Sequence, residues 1–177
     1  EIAQDYASEG KNVLSYVQFD MTNYKGSSRD VYVSTDAYNS NDLNLFLIEL
    51  MEHYNKTGAH AFTYGSTICN YGCSDHFSWA QNGFDAAFPF EASFSQSNPY
   101  IHSANDTLSR SNNTATHAAK FAKLGLEFII ETAKGSVLSA SEMDKSSVEI
   151  YIKDKSLNYR FGKDSAESLA IIDTSGR

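Results

Sequence analysis

"NDLNLFLIELMEHYN", residues 41 to 55, decides the fold of this chain. Leu43, Phe46, Leu47, Leu50, Met51 and Tyr54 recur at the spacing that gathers them on one face of an α-helix. Upstream, "DVYVSTD" (30 to 36) reads as a short strand, and downstream "HAFTYG" (60 to 65) reads as another. Further out, "NVLSYVQFD" (12 to 20) is apolar enough for a strand buried on both faces. "FDAAFPFEA" (84 to 92) is a strand in which Pro89 removes a backbone donor, which favours a bulge or an edge. A second helix runs from about Thr116 to Ala133, with Ala118, Phe121, Ala122, Gly125, Phe128 and Ile129 on its apolar face. Strands alternating with helices predict an α/β fold, a three-layer sandwich with a mixed, mostly parallel sheet.

Three smaller features complete the pattern. "IAQDYASEGK" reads as the end of a helix stopped by a left-handed Gly10. Ser74 is the expected cap of a short helix through Ala80. Residues 92 to 115 are long, polar and unpatterned, which in a compact domain suggests a functional loop. The texture changes after "KGSVLSASEMDKSS": "VEIYIKD", "LNYRFG" and "SLAIID" are short alternating strands with no helix between them. The expected division is a domain over 1–135, a linker over 136–146 and the start of a β-rich C-terminal module over 147–177.

Composition narrows the partners. The 177 residues are 41% hydrophobic, enough for one ordinary core. The formal charge of -8 arises from 22 acidic against 14 basic residues, without a basic run, so nucleic acid and anionic membrane are disfavoured. No stretch approaches the roughly 20 apolar residues that cross a bilayer, and the start lacks the pattern of a signal peptide. Abundant Ser, Asn, Tyr and Thr with sparse Lys lean toward a secreted or periplasmic location. Asn55, Asn105 and Asn112 each sit in an Asn-x-Thr match.

The chemistry-bearing residues are few. "CNYGCSDHFSW" (69 to 79) holds Cys69, Cys73, Asp75 and His76, a set compatible with a zinc site or with a disulfide across a five-residue loop. Asp20 stands where a buried strand runs out, the end at which open α/β sheets hold ligands; a turn carboxylate is the bland alternative. His102 lies in the long loop, with Asp106 near enough in sequence to orient an imidazole, although a loop histidine is usually solvated. Phe94 and Ile101 are apolar residues in polar surroundings and, with Tyr71, Phe88 and Phe90, form a candidate pocket lining.

Taken in order and separation, "FDMTNYKGS" (19 to 27), "CNYGCSDHFSW", "AAFPFEASF" (86 to 94) and "NPYIHSANDTL" (98 to 108) resemble the secreted bacterial leucyl aminopeptidases, co-catalytic di-zinc exopeptidases. The likeness spans about residues 1 to 134. It implies that Asp20 binds one zinc and His102 the other, that Cys69 and Cys73 form a disulfide, and that the Tyr71 hydroxyl stabilises the tetrahedral intermediate. It also implies that Met21, Phe88, Phe90, Phe94 and Ile101 line the pocket for a leucine-like first residue of a peptide with a free N-terminus. Ser34 and Ser97 stand where relatives often carry larger side chains, so a broader preference is expected. The family's remaining three ligands and its glutamate base precede the segment matched by "EIAQDYASEGK". The expectation is therefore an N-terminally missing part of the domain, no activity by this polypeptide alone, and a sheet with an unpaired edge. A relative of glutaminyl cyclase, a single-zinc acyltransferase, and a non-catalytic binding domain are the alternatives. The C-terminal strands resemble the start of a bacterial secretion or sorting module.

Overall fold

The computed structural model describes residues 1–58, 61–137, 149–153 and 156–160. His60 and the segment "SLAIID" lie outside the described residues. The chain divides into two compact units, Glu1–Ala133 and Lys134–Arg177.

In the first unit α1 (Ile2–Ser8) leads to β1 (Tyr16–Val17), β2 (Val31–Ser34), α2 (Asn41–Tyr54), β3 (Tyr64–Thr67) and α3 (His76–Gln81). After these come β4 (Ala86–Ala87), β5 (Pro89–Phe90) and α4 (Thr116–Val137), which belongs to this unit as far as Ala133. α1 ends as expected, with Gly10 at φ 63°. α2 starts at Ser40, whose hydroxyl accepts the Leu43 N–H at 3.3 Å, and it buries Leu43, Leu47, Leu50 and Met51. These residues pack with Val31 and Val33 of β2, Ala87 of β4, and Phe121 and Leu124 of α4. That cluster is the core.

The pairing is mixed. β1 runs parallel to β4, β2 parallel to β3, and β2 antiparallel to β5. Residues 85 to 88 are the spine, because their carbonyls alternate in direction. Asp85 O and Ala87 O accept from Tyr16 and Gln18, while Ala86 O and Phe88 O accept from Ser40 and Ser34. Pro89 faces Val33 at a position that exchanges no ladder bonds, since the Ser34 N–H already bonds Phe88 O. Its missing donor points to the side where β1 has ended, so it removes no bond.

Three expectations are corrected. The strand expected over 60 to 65 forms instead at Tyr64–Thr67. The strand expected over 12 to 20 is paired only at Tyr16–Val17 and is half-buried, because its partner β4 is equally short. Ser74 does not cap α3: Asp75 occupies the N-cap position and the Ser74 hydroxyl is used elsewhere. Trp79 of α3 stacks on Tyr16 at 4.5 Å and meets Tyr6 of α1 edge-on at 5.5 Å, which docks both helices against β1.

In the second unit, β6 (Glu149–Lys153) and β7 (Ser156–Arg160) form an antiparallel hairpin with Ile150 opposite Tyr159.

Candidate active site

Where β1 stops, the chain turns through Met21, whose φ of 52° is left-handed. That backbone is unfavourable for a side chain with a Cβ by roughly 1 kcal/mol and so needs outside support. The turn presents Asp20, and Ser74, next to Cys73, donates its hydroxyl to Asp20 Oδ2 at 2.9 Å. Gly26, a few residues on, allows the carbonyl of Gln96 to approach so closely that a Cβ would lie 1.8 Å from it. The loop carrying Asp20 is thereby pressed against the long loop.

Cys69 and Cys73 are joined as a disulfide. The loop they close is held from below by Asp36, whose Oδ2 accepts the Cys69 N–H at 3.2 Å and the Asn70 N–H at 3.4 Å. Against the desolvation imposed by partial burial, bonds from Tyr38, Asn39, Ser34 and Cys69 hold the Asp36 carboxyl below its ordinary range. Tyr71 tops the loop, exposed, its ring edge-on to Phe94 at 5.9 Å. His76 is fully buried beneath it and stacks on Phe88 at 4.8 Å; neither ring nitrogen has a hydrogen-bond partner among the described residues. Desolvation pushes its pKa below 6.5, with Asp36 and Asp75 opposing. Its ring supports the aromatic wall through that stacking.

The long loop folds into two 3-10 turns, Phe94–Gln96 and Leu108–Ser111. His102, between them, is again left-handed, at φ 60°. Asp106 does not orient it: Asp106 Oδ1 accepts from the Asn98 amide at 2.8 Å, and no bond joins it to His102 among the described residues.

These segments enclose one cavity of about 510 Å³. Asp20, Met21, Tyr71, Cys73, Phe88, Phe90, Phe94, Ile101 and His102 all border it, so the residues singled out in the sequence come together. Phe90 rests on Phe88 at 5.0 Å and on Phe94 at 5.8 Å, giving one side a continuous aromatic wall. Ser97 also borders the cavity, whereas Ser34 is buried in β2 and bonded to Asp36. Among the contributors without a site role in the sequence reading are Ser74, which reads there as a helix cap, and Glu91, which borders the cavity 2% exposed. Its position after "PF" carries no local signal of that role.

Zinc sites need three or four protein donors. Among the described residues no group of three or more His, Cys, Asp or Glu could hold a metal ion. Asp20 and His102 are donors of the right chemistry, but two do not complete a shell.

Residues 2–126 match peptidase family M28. The chain is 37% identical over 133 residues to a "Probable aminopeptidase" of Saccharomyces cerevisiae, covering 74% of this chain and 33% of that protein. It is 32% identical over 133 residues to a "Probable leucine aminopeptidase" of Arthroderma benhamiae, covering 75% and 34%. Among solved structures, the Legionella pneumophila LapA aminopeptidase superposes with a TM-score of 0.66 at 37% identity, covering 75% of this chain and 34% of that one. LapB from the same organism gives 0.65 at 34%, covering 74% and 34%. The chain thus spans about a third of the length of the relatives it matches. The match runs through the turn of Asp20, the cystine loop and the loop of His102, and with it the chain belongs to peptidase family M28.

Proposed function

We propose that this chain is part of a zinc-dependent aminopeptidase that removes apolar, leucine-like residues from the free N-terminus of peptides. The observation that carries this reading is the single cavity bordered at once by Asp20, His102, Tyr71 and the wall of Phe88, Phe90, Phe94 and Ile101. A carboxylate and an imidazole beside an apolar pocket suit a substrate with one polar reacting end and one apolar side chain. Met21 and Ser97 add a flexible and a small side chain to that lining, which favours some breadth in the residue accepted.

Asp20 and His102 would each supply one ligand to a two-zinc centre, and the Tyr71 hydroxyl would donate a hydrogen bond to the developing oxyanion. When bound, zinc would polarise the scissile carbonyl and lower the pKa of bound water, and completing its shell takes donors other than those among the described residues. By itself the chain is therefore inactive. In the complete domain the sheet within residues 1–135 would sit as the middle layer of a three-layer sandwich. A disulfide agrees with a secreted or periplasmic location, and the acidic charge with peptides rather than nucleic acid or membrane.

The test is co-expression with a segment that supplies the remaining ligands, assayed on leucine p-nitroanilide. Activity that disappears in Asp20→Ala and in His102→Ala supports the reading, and activity surviving either change overturns it. Zinc titration of the complex separates the rival assignments: two tight sites for the peptidase, one for a glutaminyl-cyclase-like acyltransferase, none for a binding domain.

A further inference from the structure

We propose that Glu91 is a positioning residue that sets the relative placement of Asp20 and His102. Its carboxylate is buried and no cation pairs with it among the described residues. Each oxygen is instead used by one loop: Oε2 accepts the Tyr24 N–H at 2.7 Å, and Oε1 accepts the Asn98 N–H at 3.1 Å. Tyr24 lies four residues after Asp20, and Asn98 four residues before His102. One side chain therefore ties together the two segments that present the candidate ligands.

The bonds answer a need in those segments. Both contain a residue with left-handed backbone, Met21 and His102, and such a conformation persists only where the surroundings over-determine it. The same point holds α4 in place. The Glu91 carbonyl accepts from His117 Nε2 at 3.2 Å, which fixes that ring's tautomer, and Asn23, beside Tyr24, accepts the Ala118 N–H at 3.1 Å through Oδ1. Glu91 sits immediately after β5, which is bonded into the sheet, so the loops are referenced to the most rigid part of the unit. Burial pushes the Glu91 pKa up, with Asp106 reinforcing the shift and the Tyr24, Asn98 and Asn23 amides opposing it.

Consequences for hydrolysis rest on the proposed aminopeptidase, whereas the placement itself does not. The decisive variant is Glu91→Gln, which preserves shape but replaces one acceptor with a donor. In the full chain, backbone hydrogen exchange read by NMR is expected to speed up about ten- to a hundredfold at Tyr24 or Asn98, whichever amide then faces the new NH₂ group. A space-filling role would leave both amides as protected as in the unsubstituted chain, and that result overturns the proposal. Should Glu91→Gln fail to fold, the unsubstituted chain decides. Titrating Glu91 must move the Tyr24 and Asn98 amide resonances together with one midpoint, and independent movement or none overturns it. In the complemented enzyme the positioning role further predicts a fall in kcat with little change in KM. Deprotected amides alongside absent peptidase activity would leave Glu91 as the tether and remove the catalytic reading alone.

Discussion

At the scale of single residues, Ser74 shows how little separates a structural hydroxyl from a functional one. A serine two residues before a helix is chemically suited to cap it, and nothing local distinguishes that use from the bond it makes to Asp20. Outer partners of metal ligands typically contribute ten- to a hundredfold in affinity. If Asp20 holds zinc as proposed, Ser74→Ala is expected to weaken zinc retention by about that factor in the complemented enzyme, measured by competition with a chelator. His76 gives a second expectation, in stability. Its folded pKa is depressed, so its contribution is present above about pH 6.5 and is lost as pH falls, because the unfolded chain then binds the extra proton. His117 has the same sign. Glu91, raised, has the opposite one: it stabilises below about 4.5 and loses that as pH rises through its folded value. Thermal unfolding between pH 7 and 5 should show a falling midpoint, and His76→Phe should flatten that fall. Asp20 and His102 were legible as a pair only through resemblance, since neither the end of a strand nor a loop histidine declares a partner far along the chain.

At the scale of elements, legibility followed periodicity. α2 and α4 begin at or near the positions their apolar spacing predicts, because a helix carries its hydrogen bonds within itself. β1 did not follow its sequence, because a strand extends only as far as its neighbour, and β4 pairs at two positions. The junction between α2 and α4 yields a test. Asn55, fully buried just after α2, donates to Glu127 Oε2 at 2.7 Å and accepts from Lys123. Burial also makes it a poor glycosylation acceptor, unlike the exposed Asn105 and Asn112. Asn55→Ala leaves the Lys123–Glu127 pair without its bridge and is expected to destabilise the unit by about 1–3 kcal/mol, measured by urea unfolding.

At the scale of the whole molecule, the feature that matters is what remains uncovered. Among the described residues β1 pairs only with β4 and β3 only with β2, so the sheet order ends in two free edges. Leu14, before β1, and Leu126 and Ile129 on α4 are exposed at 64%, 45% and 59%. Open edges and exposed apolar side chains promote association. Light scattering of the isolated chain should show concentration-dependent oligomers, reduced by Leu14→Lys combined with Ile129→Glu. The sequence announced the apolar positions but not their exposure, because a buried and an exposed apolar helix face share one pattern.

The packing of Trp79 between α1 and β1 gives the molecule an intrinsic optical reporter. It is the sole tryptophan of the sequence, six residues beyond the cystine, and its indole is flanked by two tyrosines. Detachment of the N-terminal helix removes the Tyr6 contact and is expected to alter its emission before the core melts. Fluorescence and ellipticity recorded together should thus resolve early fraying from cooperative collapse.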